Sequence, residues 1–175
     1  MSLPDWREEA ISKKHDRASF DCGDSALNDF LQRHARQSHE KGAAKTFLAV
    51  SKSDGKTILG FYSLCPASLE YARVPKVVSK GLAQHEVPVF RLGRLAVNRP
   101  NQGQGLGGQL ILAAGRRCLL VASEVGGVAM LIDAKNERTA KWYSLFGAIS
   151  LTDASLSLLL PLATIQTALK SAGKF

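Results

Sequence analysis

The chain has 175 residues, 45% of them hydrophobic and 22% charged, with a formal net charge of +8. That length and balance fit one globular domain spanning 1–175 with a core of its own, and they exclude a disordered or low-complexity chain. No apolar run approaches the roughly 20 residues that cross a bilayer, the opening MSLPDWREEAISKK lacks the apolar centre of a secretory signal, and the scattered cysteines (Cys22, Cys65, Cys118) and histidines fall in no metal-ligand spacing. The expectation is a cytoplasmic protein with no membrane segment, metal or structural disulfide.

In chain order, Asp24 is a good N-cap for a helix that places Leu27, Phe30, Leu31, His34 and Ala35 on one face, and Gly42 would end it. Thr46–Ser51 and Thr57–Cys65 read as strands, joined through Lys52–Lys56, where Ser-Asp-Gly supplies hairpin chemistry. From Pro66 to Glu86 the sequence predicts loop with a short helix carrying Lys76 and Lys80. Val87–Asn98 predicts a strand, followed by a glycine-rich turn and an apolar helix from about Gly105 to Glu124. Gly127–Asp133 reads as a buried strand, Glu137–Phe146 as a short helix, and Ala148–Leu151 with Leu156–Leu160 as a final pair of strands. The order defines an α/β (α+β) domain with a mixed sheet.

The segment with most chemical content is Arg94–Ile111, RLAVNRPNQGQGLGGQLI. Glycines at Gly103, Gly105, Gly107 and Gly108 allow successive N–H groups to point into one concavity. The helix that follows adds its unpaired N–H groups and the positive end of its dipole. Together they suit a phosphate or pyrophosphate. A tight turn or close helix packing would produce the same glycines. A P-loop needs Lys-Ser/Thr after its last glycine, and Gln109 stands there instead. The spacing Gly103-x-Gly105-x-x-Gly108 does match a dinucleotide motif. However, strand-like segments precede it, and Glu124 ends the helix rather than the next strand.

Gln102-Gly103-Gln104-Gly105-Leu106-Gly107 resembles the acyl-CoA signature of the GNAT acetyltransferases. Leu95-Ala96-Val97 resembles the strand whose main chain binds the pantetheine arm of the acetyl donor in that family. Further on, Asn136, Ala140, Tyr143 and Gly147 resemble its second signature. The resemblance narrows through Phe20-Asp21-Cys22-Gly23, Leu27–Leu31, Ala43–Phe47, Gly60–Leu64 and Leu160–Ile165 to the tRNA-acetylating GNAT toxins of bacterial toxin–antitoxin operons, the TacT-like group. One departure is Ala148 after Gly147, where that group often has Phe.

The resemblance implies a GNAT fold, a mostly antiparallel mixed sheet flanked by helices. It implies acetyl-CoA as cofactor, bound by Leu95, Ala96, Val97, Gln102, Gly103, Gln104, Gly105, Leu106, Gly107, Gly108 and Asn136. An aminoacyl-tRNA substrate, a ribbon-helix-helix antitoxin and a homodimer are implied with it. Tyr143 would be the catalytic acid, because a phenol with pKa ~10 is protonated at neutral pH; a core aromatic is the plainer reading. Asn136 fits an N-cap equally well. An α-amine, with pKa ~7.7–8.0, needs little help to lose its proton, whereas Glu70 and Glu86 are the carboxylates that could assist a more basic amine.

Between Tyr71 and Arg99 stand Arg73, Lys76, Lys80, Arg91, Arg94 and Arg99 against one acid, Glu86. Arg94, Arg91, Lys76, Lys80, Arg33 and Arg36 are candidate RNA contacts, with solvated surface cations as the alternative. Arg91 and Arg94 would point to opposite faces of their strand. Aromatics are 7% of the chain and do not interleave with the basic residues, so RNA would be read through its shape and backbone. A GNAT acting on a small amine or a protein N-terminus, and a non-catalytic RNA- or CoA-binding module, are the competing functions.

Overall fold

A computed structural model describes residues 2–173. Its strands are β1 (Trp6–Ala10), β2 (Lys45–Ser51), β3 (Ile58–Leu69), β4 (Val87–Val97), β5 (Ala129–Asp133), β6 (Ile149–Ser150) and β7 (Ser157–Pro161). They form one seven-stranded sheet in the order β1-β2-β3-β4-β5-β7-β6. β1 with β2, β2 with β3, β5 with β7 and β6 with β7 are antiparallel, while β4 and β5 run parallel through Phe90–Leu92 against Met130–Ile132. The helices are α1 (Ser25–Asp29), α2 (Ala35–Glu40), α3 (Lys76–Ser79), α4 (Leu106–Val125), α5 (Glu137–Ser144) and α6 (Leu162–Ser171). The mixed, mostly antiparallel sheet flanked by helices is the architecture the sequence predicts.

By contacts the chain forms two compact units. One holds the residues up to Cys65 with Gly93–Ile111, and the other holds Pro66–Leu92 with the residues from Leu112 on. In the first unit, Asp24 caps α1 as expected, its carboxylate accepting from the N–H groups of Ala26 and Leu27 at 2.9 and 3.3 Å. A π-helical turn, Phe30–His34, then links α1 to α2. The wider turn inserts a residue into the helical period, so Phe30, Leu31 and Ala35 are buried while the His34 side chain is 63% exposed. The expected inward position of His34 is therefore wrong. At Gly42 (φ 77°), Ala43 N–H donates to Ser38 O and Gly42 N–H to His39 O, a Schellman ending for the helix.

The core of this unit gathers Phe20, Phe30, Leu31, Leu48, Phe61 and Ala96. Phe61 meets Phe20 edge-on at 5.5 Å and stacks with Phe30 at 6.2 Å. Gly60 on β3 lets the start of α4 lie close to the sheet. A Cβ there would stand 2.9 Å from the Ala96 carbonyl oxygen, 3.0 Å from Leu110 and 3.2 Å from Leu106.

The second unit packs Val87 and Val89 of β4, Ala129 and Leu131 of β5 and Leu159 of β7 with Leu69 and Val74. β3 continues past its expected end to Leu69, through an exposed Pro66. A proline can occupy a strand where its missing N–H is not needed by a ladder. Two elements were not read from the sequence. β1 is polar enough (WREEA) to resemble loop, and α6 begins after Pro161, beyond the Leu156–Leu160 strand that the sequence predicts. In α6, Leu162, Ile165 and Leu169 are buried at helical spacing. The Gly115 hydrogen leaves room for Ile165, to which a Cβ would come within 2.6 Å.

Gly60→Ala should lower the melting temperature by roughly 3–10 °C, the consequence of about 1–3 kcal/mol of overpacking against a backbone carbonyl that has no rotamer to move. Thermal unfolding followed by circular dichroism checks this; an unchanged midpoint would mean that α4 does not sit against β3 as described.

Candidate functional site

β4 runs on to Val97, beyond Leu92, its last residue paired with β5. From Val97 the chain enters a single 3-10 turn, Arg99–Asn101, set up by Pro100. Asn98 N–H donates to Leu59 O at 2.8 Å, and its side-chain oxygen accepts from Asp21 N–H at 2.9 Å. Arg99 N–H donates to Asp21 O at 2.9 Å. The Gln102 amide then donates twice, to Val97 O at 2.8 Å and to Cys22 O at 2.9 Å. Asp21 is itself anchored, its carboxylate accepting from Asn28 Nδ2 and Gly23 N–H, both at 2.9 Å. Those bonds, with Arg99 nearby, hold the Asp21 carboxyl below its usual range.

Beyond Gln102, Gly103 (φ 75°) and Gly105 (φ 87°) are left-handed, the conformation in which alternating residues turn their N–H groups into a shared concavity. A Cβ at either glycine would meet nothing within 4 Å, so conformation, not crowding, requires glycine, and the space beside the loop is open. α4 starts at Leu106. Gln109 N–H reaches back to Gly105 O at 3.3 Å, which leaves Leu106, Gly107 and Gly108 with N–H groups that no carbonyl of the helix can take. No acidic residue lies in this first turn, so the positive end of a helix of 20 residues stands uncompensated. Leu106 is buried and anchors the turn. The Gln104 amide donates to Pro100 O at 3.2 Å, while its Oε1 is buried without a partner among the described residues. Open space, left-handed glycines and free amides fit a diphosphate.

Of the pantetheine-strand candidates, Ala96 is buried and Leu95 and Val97 are half-buried. Asn136 is the N-cap of α5, its side-chain oxygen accepting from Thr139 N–H at 2.9 Å and Thr139 Oγ1 at 3.1 Å. Tyr143, on α5, is 7% exposed and meets Trp142 edge-on at 5.0 Å. Its hydroxyl has no hydrogen-bond partner among the described residues. Burial pushes its pKa up to about 12, because the phenolate would be poorly solvated. Glu70 and Glu86 are both exposed.

The basic candidates divide sharply. Arg91 pairs with Asp133, Arg33 with Asp29 at 3.2 Å and Arg36 with Glu40 at 2.9 Å. Arg73 and Arg99 are also paired, with Asp153 and Asp21. Arg94 lays its guanidinium over the Phe30 ring at 3.7 Å. Lys76 and Lys80 are exposed and have no carboxylate partner among the described residues. Sequence reasoning missed the clamp formed by Asp21, Cys22, Asn28 and Asn98. The Phe20–Gly23 segment was visible as part of a pattern, but nothing in it announced a bond to residues far along the chain.

A glycine loop that closes a strand and opens a long helix with no acid in its first turn, in a mixed sheet of this order, is the arrangement expected of an acetyltransferase of the GNAT class. No family-wide sequence model matches the chain. It is 37% identical over 144 residues to the tRNA-acetylating toxin of Mycobacterium tuberculosis (strain ATCC 25618 / H37Rv), covering 82% of this chain and 84% of that one. To the probable toxin TacT of Sinorhizobium fredii (strain NBRC 101917 / NGR234) it is 27% identical over 162 residues, 88% and 89% of the two chains. Among solved structures, AtaT complexed with acetyl-methionyl-tRNAfMet has a TM-score of 0.87 at 29% identity, covering 94% of this chain and 99% of that one. A tyrosine-to-phenylalanine mutant of AtaT, bound to the C-terminus of the antitoxin AtaR and acetyl-CoA, has a TM-score of 0.79 at 27% identity, covering 94% and 98%. The chain belongs to the TacT-like family of tRNA-acetylating GNAT toxins.

Because the folded-state pKa of Tyr143 lies above its ordinary value of 10, the phenol adds stability below pH 10 that is lost as the pH rises towards 12. Urea unfolding between pH 10 and 12 should show a fall of up to about 2–3 kcal/mol, and Tyr143→Phe should flatten that limb. An equally steep fall in the variant would place the buried phenol elsewhere.

Proposed function

We propose that this protein transfers the acetyl group of acetyl-CoA to the α-amine of the amino acid carried by charged tRNA, and so blocks translation. The observation that carries the reading is the Gln102–Gly108 loop, whose amides and helix start suit a diphosphate. Acetyl-CoA supplies the activated acyl group as a thioester. Gly103, Gln104, Gly105, Leu106, Gly107 and Gly108 would hold its diphosphate through main-chain N–H groups, with the Gln102 side chain keeping the loop in shape. The main chain of Leu95, Ala96 and Val97 would take the pantetheine arm as an added strand does, and Asn136 would keep α5 in place as its cap.

Tyr143 holds a proton at Oη throughout the physiological range. As the catalytic acid, Tyr143 would donate from Oη to the sulfur as negative charge develops on the leaving thiolate, and the proton shed by the amine completes the balance. An α-amine, partly neutral at pH 7, requires no strong base, in keeping with the exposure of Glu70 and Glu86. AtaT with acetyl-methionyl-tRNAfMet supports the substrate class, and the AtaT mutant with AtaR and acetyl-CoA supports both the donor and an antitoxin. A ribbon-helix-helix fold for that antitoxin, a homodimeric toxin and a cytoplasmic location complete the proposal. Among the described residues no helix is long and apolar enough to cross a membrane.

Incubation with labelled acetyl-CoA should label the charged tRNA pool and leave deacylated tRNA blank. Label on free amines or protein N-termini alone would replace this substrate. Tyr143→Phe should lower kcat by about a hundredfold or more with an unchanged KM for acetyl-CoA; near-normal turnover would remove Tyr143 from the chemistry.

A further inference from the structure

The second unit contains a cleft of about 590 Å³ outside the glycine loop. Its size lies in the range, roughly 300–1,000 Å³, of pockets that take small ligands. Tyr71, Val74, Lys76, Ser79, Lys80 and Thr152 are among the residues that line it. Tyr71 also packs against the core formed by Leu69, Val74, Val87 and their neighbours, so its ring has firm support. The walls are tied together: Thr152 Oγ1 donates to Arg73 O at 3.3 Å, and Arg73 pairs with Asp153 at 2.9 Å.

Lys76 and Lys80 are four residues apart on one turn of helix, with Lys80 N–H donating to Lys76 O at 2.9 Å. Like charges at that spacing repel. No carboxylate among the described residues relieves them, although five arginines of this chain discussed above have found one. An aromatic on a rigid wall, apolar lining and two uncompensated ammonium groups at one edge make a site for a flat ring carrying a phosphate. We infer that this cleft seats one nucleotide of single-stranded RNA, its base against Tyr71 and its phosphate against Lys76 and Lys80. The inference rests on the proposed RNA substrate and deepens it, adding base contact to a recognition otherwise made through the RNA backbone. Charge alone would also admit an acidic peptide; the aromatic wall favours the nucleotide.

The test is binding of a fluorescent ribonucleotide tetramer, with a glutamate hexapeptide in parallel. The double variant Lys76→Gln/Lys80→Gln should weaken tetramer binding about tenfold and lower the slope of log Kd against log salt by about 1.4, the equivalent of two phosphate contacts on a single strand. Tyr71→Leu should weaken it about tenfold with the slope unchanged. Both should raise the KM for charged tRNA and leave the KM for acetyl-CoA as it was. Tetramer affinity indifferent to the lysine pair overturns the inference, as does hexapeptide binding that alone responds to it. The lysines are on the surface, so that variant decides the matter even if Tyr71→Leu melts early. Acetylation of charged tRNA with a normal KM in the variants would sink the cleft but keep the function. No acetylation by the wild type would sink the function, while tetramer binding would still judge the cleft.

Discussion

Two hydrogen bonds from the Gln102 side chain, to the carbonyls of Val97 and Cys22, fix where β4 stops and α4 begins. Each is worth about 1 kcal/mol net, but together with the Asp21–Asn98 bonds they determine the conformation of a loop that has no regular ladder of its own. Once Gln102 is held, Gly103 and Gly105 enter the left-handed region and α4 starts without a carboxylate in its first turn. The N–H groups freed there are those proposed to hold the diphosphate. In that proposal the side chain of Gln102 acts on the protein, and the main chain after it acts on the ligand.

The net charge of +8 gives a misleading picture of the surface when read as a sum. Ion pairs remove Arg33, Arg36, Arg73, Arg91 and Arg99 from the pool of free cations. Such exposed pairs contribute at most about 1 kcal/mol each to stability, so their effect is mainly on where charge remains available. Arg94 is held flat on Phe30, and Lys76 and Lys80, beside a cleft, have no carboxylate partner among the described residues. The basic stretch of the sequence is therefore not one continuous face, because the acids that neutralise it come from elsewhere in the chain.

What was legible in the sequence was local. Asp24 as a cap, Gly42 as a helix end, the Gly103–Gly108 turn and the Asn136–Tyr143 helix each depend on neighbours within a few residues, so their chemistry could be read in place. His34 was misjudged because the π-turn changes the helical period without any marker residue. β3 beyond Pro66 and α6 after Pro161 were hidden because proline signals a break, yet here it is accommodated within a strand and just before a helix. The clamp on the loop could not be seen, since Asp21 and Asn98 meet only in the folded chain. The burial that pushes Tyr143 to about 12 likewise depends on packing rather than on sequence.

Hydrogen exchange of the backbone amides, with and without coenzyme A, addresses the central claim most directly. If the start of α4 grips the diphosphate, the amides from Gly103 to Gly108 should slow markedly on binding, together with those of Leu95–Val97. Protection confined to other segments, with the 103–108 amides exchanging as before, would contradict the account.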